Sequence, residues 1–250
     1  MKNSMNRQRL RKTLIIFSFL LLPVTFAYIS CPIIVKGASE GVITGGLVVF
    51  MLLFAGSLFF GRLWCGWLCP AGGLQEIYAH INNKIINITM LGLLKYIMFI
   101  SIIFVPLVSA IRSAGGLNAI DFFYNTYHGI SIEQPGAYTI FLAQIAFITA
   151  FSLLAGRRGF CRYFCPIAVI MIAGRVTSRA IGKLIRLPAL SLSADAALCT
   201  NCRKCSKICP MGLDVNLMVE KGRMENVECI FCFACVDICP ENAIRHALKH

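Results

Sequence analysis

Eight cysteines between residues 199 and 239 carry the most specific chemistry in this chain. They fall in two equal runs, Cys199-Thr-Asn-Cys202-Arg-Lys-Cys205-Ser-Lys-Ile-Cys209-Pro210 and, 18 residues further on, Cys229-Ile-Phe-Cys232-Phe-Ala-Cys235-Val-Asp-Ile-Cys239-Pro240. Each reads C-x2-C-x2-C-x3-C-P, a ligand pattern for a cubane iron–sulfur cluster in which the fourth cysteine of one run serves the cube of the other. The pattern therefore assigns Cys199, Cys202, Cys205 and Cys239 to one [4Fe-4S] cluster, and Cys229, Cys232, Cys235 and Cys209 to a second. Three cysteines two residues apart can wrap one cube, and the fourth needs the longer step to reach across. The proline after it fixes φ, offers no N–H and turns the chain away. A zinc site built from C-x2-C pairs needs only four ligands and explains neither eight in equal runs nor the paired prolines.

A second cysteine pattern lies upstream, in Gly61-Arg62-Leu-Trp-Cys65-Gly-Trp-Leu-Cys69-Pro70 and Gly156-Arg157-Arg158-Gly-Phe-Cys161-Arg-Tyr-Phe-Cys165-Pro166. Both copies are Gly-Arg, a short aromatic step, then C-x3-C-P, which is also the tail of each eight-cysteine run. Each copy follows a pair of apolar segments, which predicts an internal repeat of two helical hairpins. If the repeat brings the copies together at one membrane face, Cys65, Cys69, Cys161 and Cys165 could form a third iron–sulfur or metal centre, or a redox-active thiol set. The blander alternative is that these cysteines pack as buried thiols, Pro70 and Pro166 start interfacial helices, and the arginines snorkel.

The elements that must position these cysteines are mostly apolar. The chain has 250 residues, is 58% hydrophobic, and has a mean hydropathy of +0.74 and a net charge of +13. That composition points to the membrane. Four spans are expected, over 13–29 with Pro23 placed to kink the first, then 43–60, 91–110 and 137–155. Basic residues cluster at one set of ends: Lys2, Arg7, Arg9, Arg11 and Lys12, then Arg62, Lys84 and Lys95, then Arg157, Arg158 and Arg162. The opposite segments hold only Lys36 and Arg112. The positive-inside rule then sets both termini in the cytoplasm of a multi-pass protein of the cell membrane, where disulfides are disfavoured. The expected organisation is a basic cytoplasmic N-terminus over 1–12, a four-helix membrane bundle of two hairpin repeats over 13–187, and an α+β two-cluster module over 188–250. The fold class is mostly α. Cleavage or lipid attachment at Cys31 is disfavoured by the poor small-residue site before it.

Other residues invite weaker readings. Glu76 and His80 lie four apart, share a helix face and could handle quinol protons, or simply form a solvated face. The stretch Asp121, Phe122, Phe123, Tyr124, Tyr127 and His128 reads as an interfacial aromatic anchor or an external docking surface. Arg175, Arg179, Lys183 and Arg186 suggest a membrane-surface helix. Ile208, Ile230, Phe231, Phe233, Val236 and Ile238 are expected to shield the clusters. Arg203, Lys204 and Lys207 surround the first run, whereas Asp237 and Glu241 accompany the second, so one cluster gains a basic surface suited to an acidic carrier. The four histidines (His80, His128, His246 and His250) lie outside the expected spans, so a transmembrane haem is not expected. No Gly-rich dinucleotide fingerprint points to NAD or FAD, and no nucleic-acid module accounts for the positive charge, which suits anionic lipid.

With four spans, C-G-W-L-C-P after the second, C-R-Y-F-C-P after the fourth and the two-cluster tail, the chain resembles the NapH/NosR-type membrane ferredoxins, most closely the short NapH form. The resemblance implies an electron-transfer protein of the cytoplasmic membrane that exchanges electrons between quinol or quinone and a redox partner. Such a partner would be an acidic soluble ferredoxin or flavodoxin, or a respiratory reductase subunit. It leaves open whether the chain is a quinol dehydrogenase or quinone reductase subunit. Two other readings stay open: a maturation or metal-handling factor for a partner metalloenzyme, and a non-catalytic membrane anchor or redox sensor.

Overall fold

The structure, a computed structural model, describes residues 2–85, 90–126, 129–131, 135–182 and 188–249. Tyr127, His128, Lys183, Arg186 and His250 lie outside them. The chain is mostly helical.

Long apolar runs form the long helices, and Pro106 is accommodated inside the first of them just after a π-helical segment over Ile100–Phe104. Leu91–Ser113 (α7, counting helices along the chain) and Tyr138–Ala155, within α8 (Pro135–Ala155), are long and apolar enough to cross a membrane. Many of their large side chains, among them Ile97 and Leu142, are exposed on the protein surface, as lipid contact requires.

The first expected span is not straight. Helix α1 (Lys2–Leu20) meets α2 (Leu22–Ile29) at an 80° bend. Pro23 sits in the first turn of α2, where its missing N–H is tolerated and its ring blocks straight continuation of α1. After α3 (Cys31–Ser39), the short strand β1 (Val42–Thr44) pairs in parallel with β2 (Ala119–Asp121). That strand trims the second expected span to α4 (Gly45–Phe60), whose 16 residues rise about 24 Å, against about 30 Å of hydrocarbon. Thr44 caps it by accepting from the Leu47 N–H at 3.3 Å.

The hairpin repeat is visible in the local structure. After α4 come α5 (Leu63–Trp67) and α6 (Pro70–Tyr78); after α8 come α9 (Gly159–Tyr163) and α10 (Pro166–Ile181). Both long helices end at a glycine with positive φ, Gly61 at 57° and Gly156 at 71°, a conformation glycine adopts without a Cβ penalty. Helix α10 packs on α4, α6 on α8, and α1 lies along α6.

The C-terminal module closes with the antiparallel pair β3 (Ala189–Ala194) and β4 (Ile244–Lys249), in register from Ala189↔Lys249 to Ala194↔Ile244. Between them lie α11 (Lys204–Ile208), α12 (Val215–Glu220) and α13 (Ala234–Ile238). Its buried residues, including Val215, Val219 and Ile230, run on into the core of the membrane helices. Two expectations about this region need correction. Ile208 and Ile238, 42% and 40% exposed, point outward, because a five-residue helix has one face to bury and the cysteine occupies it; Ile230 and Phe231 are buried as expected. Arg175 is buried and donates to the Leu190 carbonyl at 2.8 Å, so α10 turns this side toward the C-terminal module rather than a lipid surface.

Candidate iron–sulfur sites

One local structure occurs four times. Helices α5, α9, α11 and α13 are each five residues long and carry a cysteine. Each is followed by a cysteine in extended conformation and then a proline: Cys69 (φ −74°, ψ 118°), Cys165 (−67°, 116°), Cys209 (−62°, 117°) and Cys239 (−72°, 113°). A residue before proline is pushed out of the α region, so every C-x3-C-P ends its helix and swings its second thiol away.

Cys199, Cys202, Cys205 and Cys239 line one small cavity. In the other set, Cys235 lies within electrostatic reach of Cys232, Cys229 and Cys209. Residues flanking the middle cysteines share a left-handed backbone: Asn201 and Arg203 (φ 54° and 56°) around Cys202, Phe231 and Phe233 (49° and 59°) around Cys232. Four non-glycine residues at such φ are unusual, and their recurrence at equivalent positions makes two like cradles. All thirteen cysteines are free. The donor set and the paired cradles fit [4Fe-4S] groups. Cys202 is exposed beside Arg203 and Lys204, and Lys207 is exposed on the same short helix as Lys204, whereas Cys209 and Cys232 are buried.

The upstream cysteines converge as well. Cys65, Cys69, Cys161 and Cys165 are all buried and mutually within electrostatic reach. The Cys65 thiol donates to the Met171 thioether at 3.4 Å, and Gln75 Nε2 donates to Cys161 Sγ at 3.0 Å. Burial pushes the Cys65 and Cys69 thiols up, with Arg158 pulling both the other way. Cys161 is drawn down, first by its hydrogen bond with Cys165 and then by Arg158 and Gln75 against the effect of burial.

The arginines next to these cysteines do not snorkel. Arg62 and Arg158 are 1% and 2% exposed. Arg62 pairs with Glu228 at 2.6 Å, and Lys95 pairs with the same carboxylate. Arg158 and Arg11 share Glu76 at 3.1 and 2.6 Å, and Arg158 also donates to the Cys65 carbonyl at 2.9 Å. Four cations against two carboxylates leave two positive charges beside four thiols. Among the described residues, the buried Nε and Nη2 of Arg62 and Nε of Arg158 have no hydrogen-bond partner. Burying that surplus is costly unless an anion sits nearby, and four thiolates around a cationic inorganic core would supply it.

Glu76 and His80 do line one cleft, together with Arg9, Arg11 and Lys12. Burial acts to raise the Glu76 carboxyl, but Arg158 and Arg11 outweigh it and hold it at about 2. It is thus a fixed carboxylate near neutral pH. Sequence reasoning missed Glu228, Gln75 and Met171. Of these, only Glu228, placed immediately before Cys229, offered a local signal.

The C-terminal module docks on the upstream motif. Trp67 Nε1 donates to the Phe231 carbonyl at 3.0 Å. A Cβ on Gly66 would overlap the Ile230 carbonyl oxygen and stand 3.6 Å from the Cys232 nitrogen. On the far side, Cys69 and Cys165 form part of the wall of an apolar cavity of about 570 Å³ among α2, α3, α7 and α8, with Phe26, Phe147 and Gln144 also lining it.

Fold and sites define a ferredoxin-type iron–sulfur protein with membrane-directed helices. The 4Fe-4S binding domain family matches residues 42–89 and again 137–183, and the 4Fe-4S dicluster domain family matches residues 191–240. Among curated relatives, YccM of Escherichia coli K12, provisionally named an electron transport protein, is 24% identical over 83% of this chain and 57% of its own. The regulatory protein NosR of Pseudomonas aeruginosa is 22% identical over 75% and 25%, and the ferredoxin-type protein NapH of E. coli K12 is 21% identical over 79% and 65%. The chain spans less than two thirds of the length of each of these. No solved structure matches significantly. The chain belongs to the NapH/NosR-type ferredoxin family.

Proposed function

We propose that this chain is a four-span conduit of the cell membrane, with both termini cytoplasmic, that exchanges electrons between quinone and a redox partner. The observation that carries this reading is the sequence of sites from surface to interior. Exposed Cys202 belongs to the outer set, Cys232 to the set pressed against Gly66, and Cys69 and Cys165 reach from the upstream set to the apolar cavity. Iron–sulfur groups held by Cys199/Cys202/Cys205/Cys239, by Cys229/Cys232/Cys235/Cys209 and by Cys65/Cys69/Cys161/Cys165 would divide two-electron quinone chemistry into single-electron transfers. The exposed basic residues Arg203, Lys204 and Lys207 suit an acidic carrier at Cys202.

At the inner end, the cavity has the size and character of a small-molecule site, about 300–1,000 Å³, mostly apolar with few polar groups. Its aromatic and aliphatic walls exclude water, and Gln144 offers hydrogen bonds to a quinone oxygen. The names of the relatives, an electron transport protein and a ferredoxin-type protein, support the general reading. The test is anaerobic mixing of the reduced, purified protein with a soluble quinone analogue. Oxidation of the protein is expected in the parent. Ile103→Trp, which fills the cavity, should suppress it at unchanged iron content. Failure of the parent to exchange electrons with any quinone overturns the proposal.

A further inference from the structure

Glu228 stands between two of the sites. Its Oε2 accepts from Arg62 at 2.6 Å, its Oε1 from Lys95, and the next residue is Cys229 of the second set. The charge of Arg62 reaches Cys65 and Cys161 of the upstream set. One carboxylate is thus wired through Arg62 to the membrane cysteines and through the chain itself to the C-terminal ones. Glu76 holds Arg11 and Arg158, whose charges reach the upstream cysteines and also Cys232, but it pairs with neither Arg62 nor Lys95 and is not adjacent to any cysteine in the chain.

We infer that Glu228 is a shared counter-charge that sets the reduction potentials of the upstream centre and of the Cys209/Cys229/Cys232/Cys235 centre together, keeping them matched. This rests on the proposed third centre for its upstream half only. Reduction adds negative charge, so a carboxylate nearby opposes it; Glu228 is itself only partly buried, but its partners Arg62 and Lys95 are fully buried, which lengthens the reach of the charge they carry. Without Glu228, Arg62 and Lys95 face both cysteine sets uncompensated, and reduction becomes easier at both. Glu228 touches no ligand sulfur and acts through Arg62, so it is a positioning residue.

The experiment is an EPR redox titration of the purified full-length protein and its variants, with iron counted for each. Glu228→Gln should shift the reduction equilibrium of both neighbouring centres at least tenfold in favour of the reduced form, equivalent to 59 mV for one electron. The Cys199/Cys202/Cys205/Cys239 centre should move much less. Glu228→Asp should restore both potentials toward the parent, and Arg62→Gln should shift the upstream centre the opposite way. Equal shifts at all centres, or a Glu228→Asp variant as shifted as Glu228→Gln, would mean a merely structural role and overturn the inference. If Glu228→Gln does not load iron, Arg62→Gln decides it: a shift of the upstream centre toward the oxidised form, with Glu228→Asp near the parent, supports the inference, and an Arg62→Gln without that shift overturns it. A parent that lacks a third signal defeats the third centre, while the shift at the Cys229 set still judges Glu228.

Discussion

Glu76→Gln isolates the charge of one buried carboxylate with little change in shape. Glu76 accepts from Arg11 at 2.6 and 3.5 Å and from Arg158 at 3.1 Å, with a side chain only 15% exposed. Holding it at about 2 instead of 4.5 corresponds to about 3 kcal/mol at about 1.36 kcal/mol per tenfold change in proton affinity. An independent route, the cost of removing one partner of a buried ion pair, gives about 3–5 kcal/mol. The variant should therefore lose about 3 kcal/mol at pH 7, roughly a hundredfold in the folded-to-unfolded ratio. The sign of the pH effect follows from the direction. A depressed carboxylate contributes fully above 4.5 and loses its contribution as pH falls toward about 2, so parent and variant should converge in acid. Urea unfolding in detergent, followed by tryptophan fluorescence, measures both. A variant within about 0.5 kcal/mol of the parent at pH 7 would refute the ion-pair account of this layer.

Other substitutions probe the remaining contacts. Gly66→Ala forces a methyl into the Ile230 carbonyl and should cost about 1–3 kcal/mol, with cross-linking between the C-terminal module and the membrane helices reduced; an unaffected melting curve would show that this contact is loose. Replacing Cys65, Cys69, Cys161 and Cys165 together by serine should lower iron per chain while the C-terminal EPR signals persist, and unchanged iron content would remove the third centre. Asp237→Asn releases Arg7 and weakens its bond from Gln8, costing about 1–2 kcal/mol. Faster trypsin cleavage at Arg7 and Arg9 is its readout, and a parent-like rate would mean that α1 is held elsewhere.

Whatever depended on short spacing was legible in the sequence. The cysteine runs, the C-x3-C-P repeat and the apolar stretches behind α7 and α8 all report neighbours within a few turns. Pro23 signalled a break, but not its 80° angle, which depends on how α1 lies against α6. The ion pairs were out of reach because their partners are distant, 166 residues apart for Arg62 and Glu228. Arg62, Lys95 and Arg158 look like ordinary edge charges until the fold buries them. Ile208 and Ile230 are equally apolar on paper, but Ile208 sits on the outer face of a five-residue helix while Ile230 lies in a loop pressed against Gly66.

The clasp of α1 on the last cysteine run has a consequence for assembly. Gln8 donates to the Cys232 carbonyl and Arg7 pairs with Asp237, contacts that join residues 224 and 230 positions apart. Links of such high contact order form late, after the intervening chain is in place. During synthesis the amino-terminal helix must wait, unlatched, until the final loop has been made. A nascent chain stalled before residue 229 should accordingly leave Arg7 and Gln8 without these partners and open to trypsin.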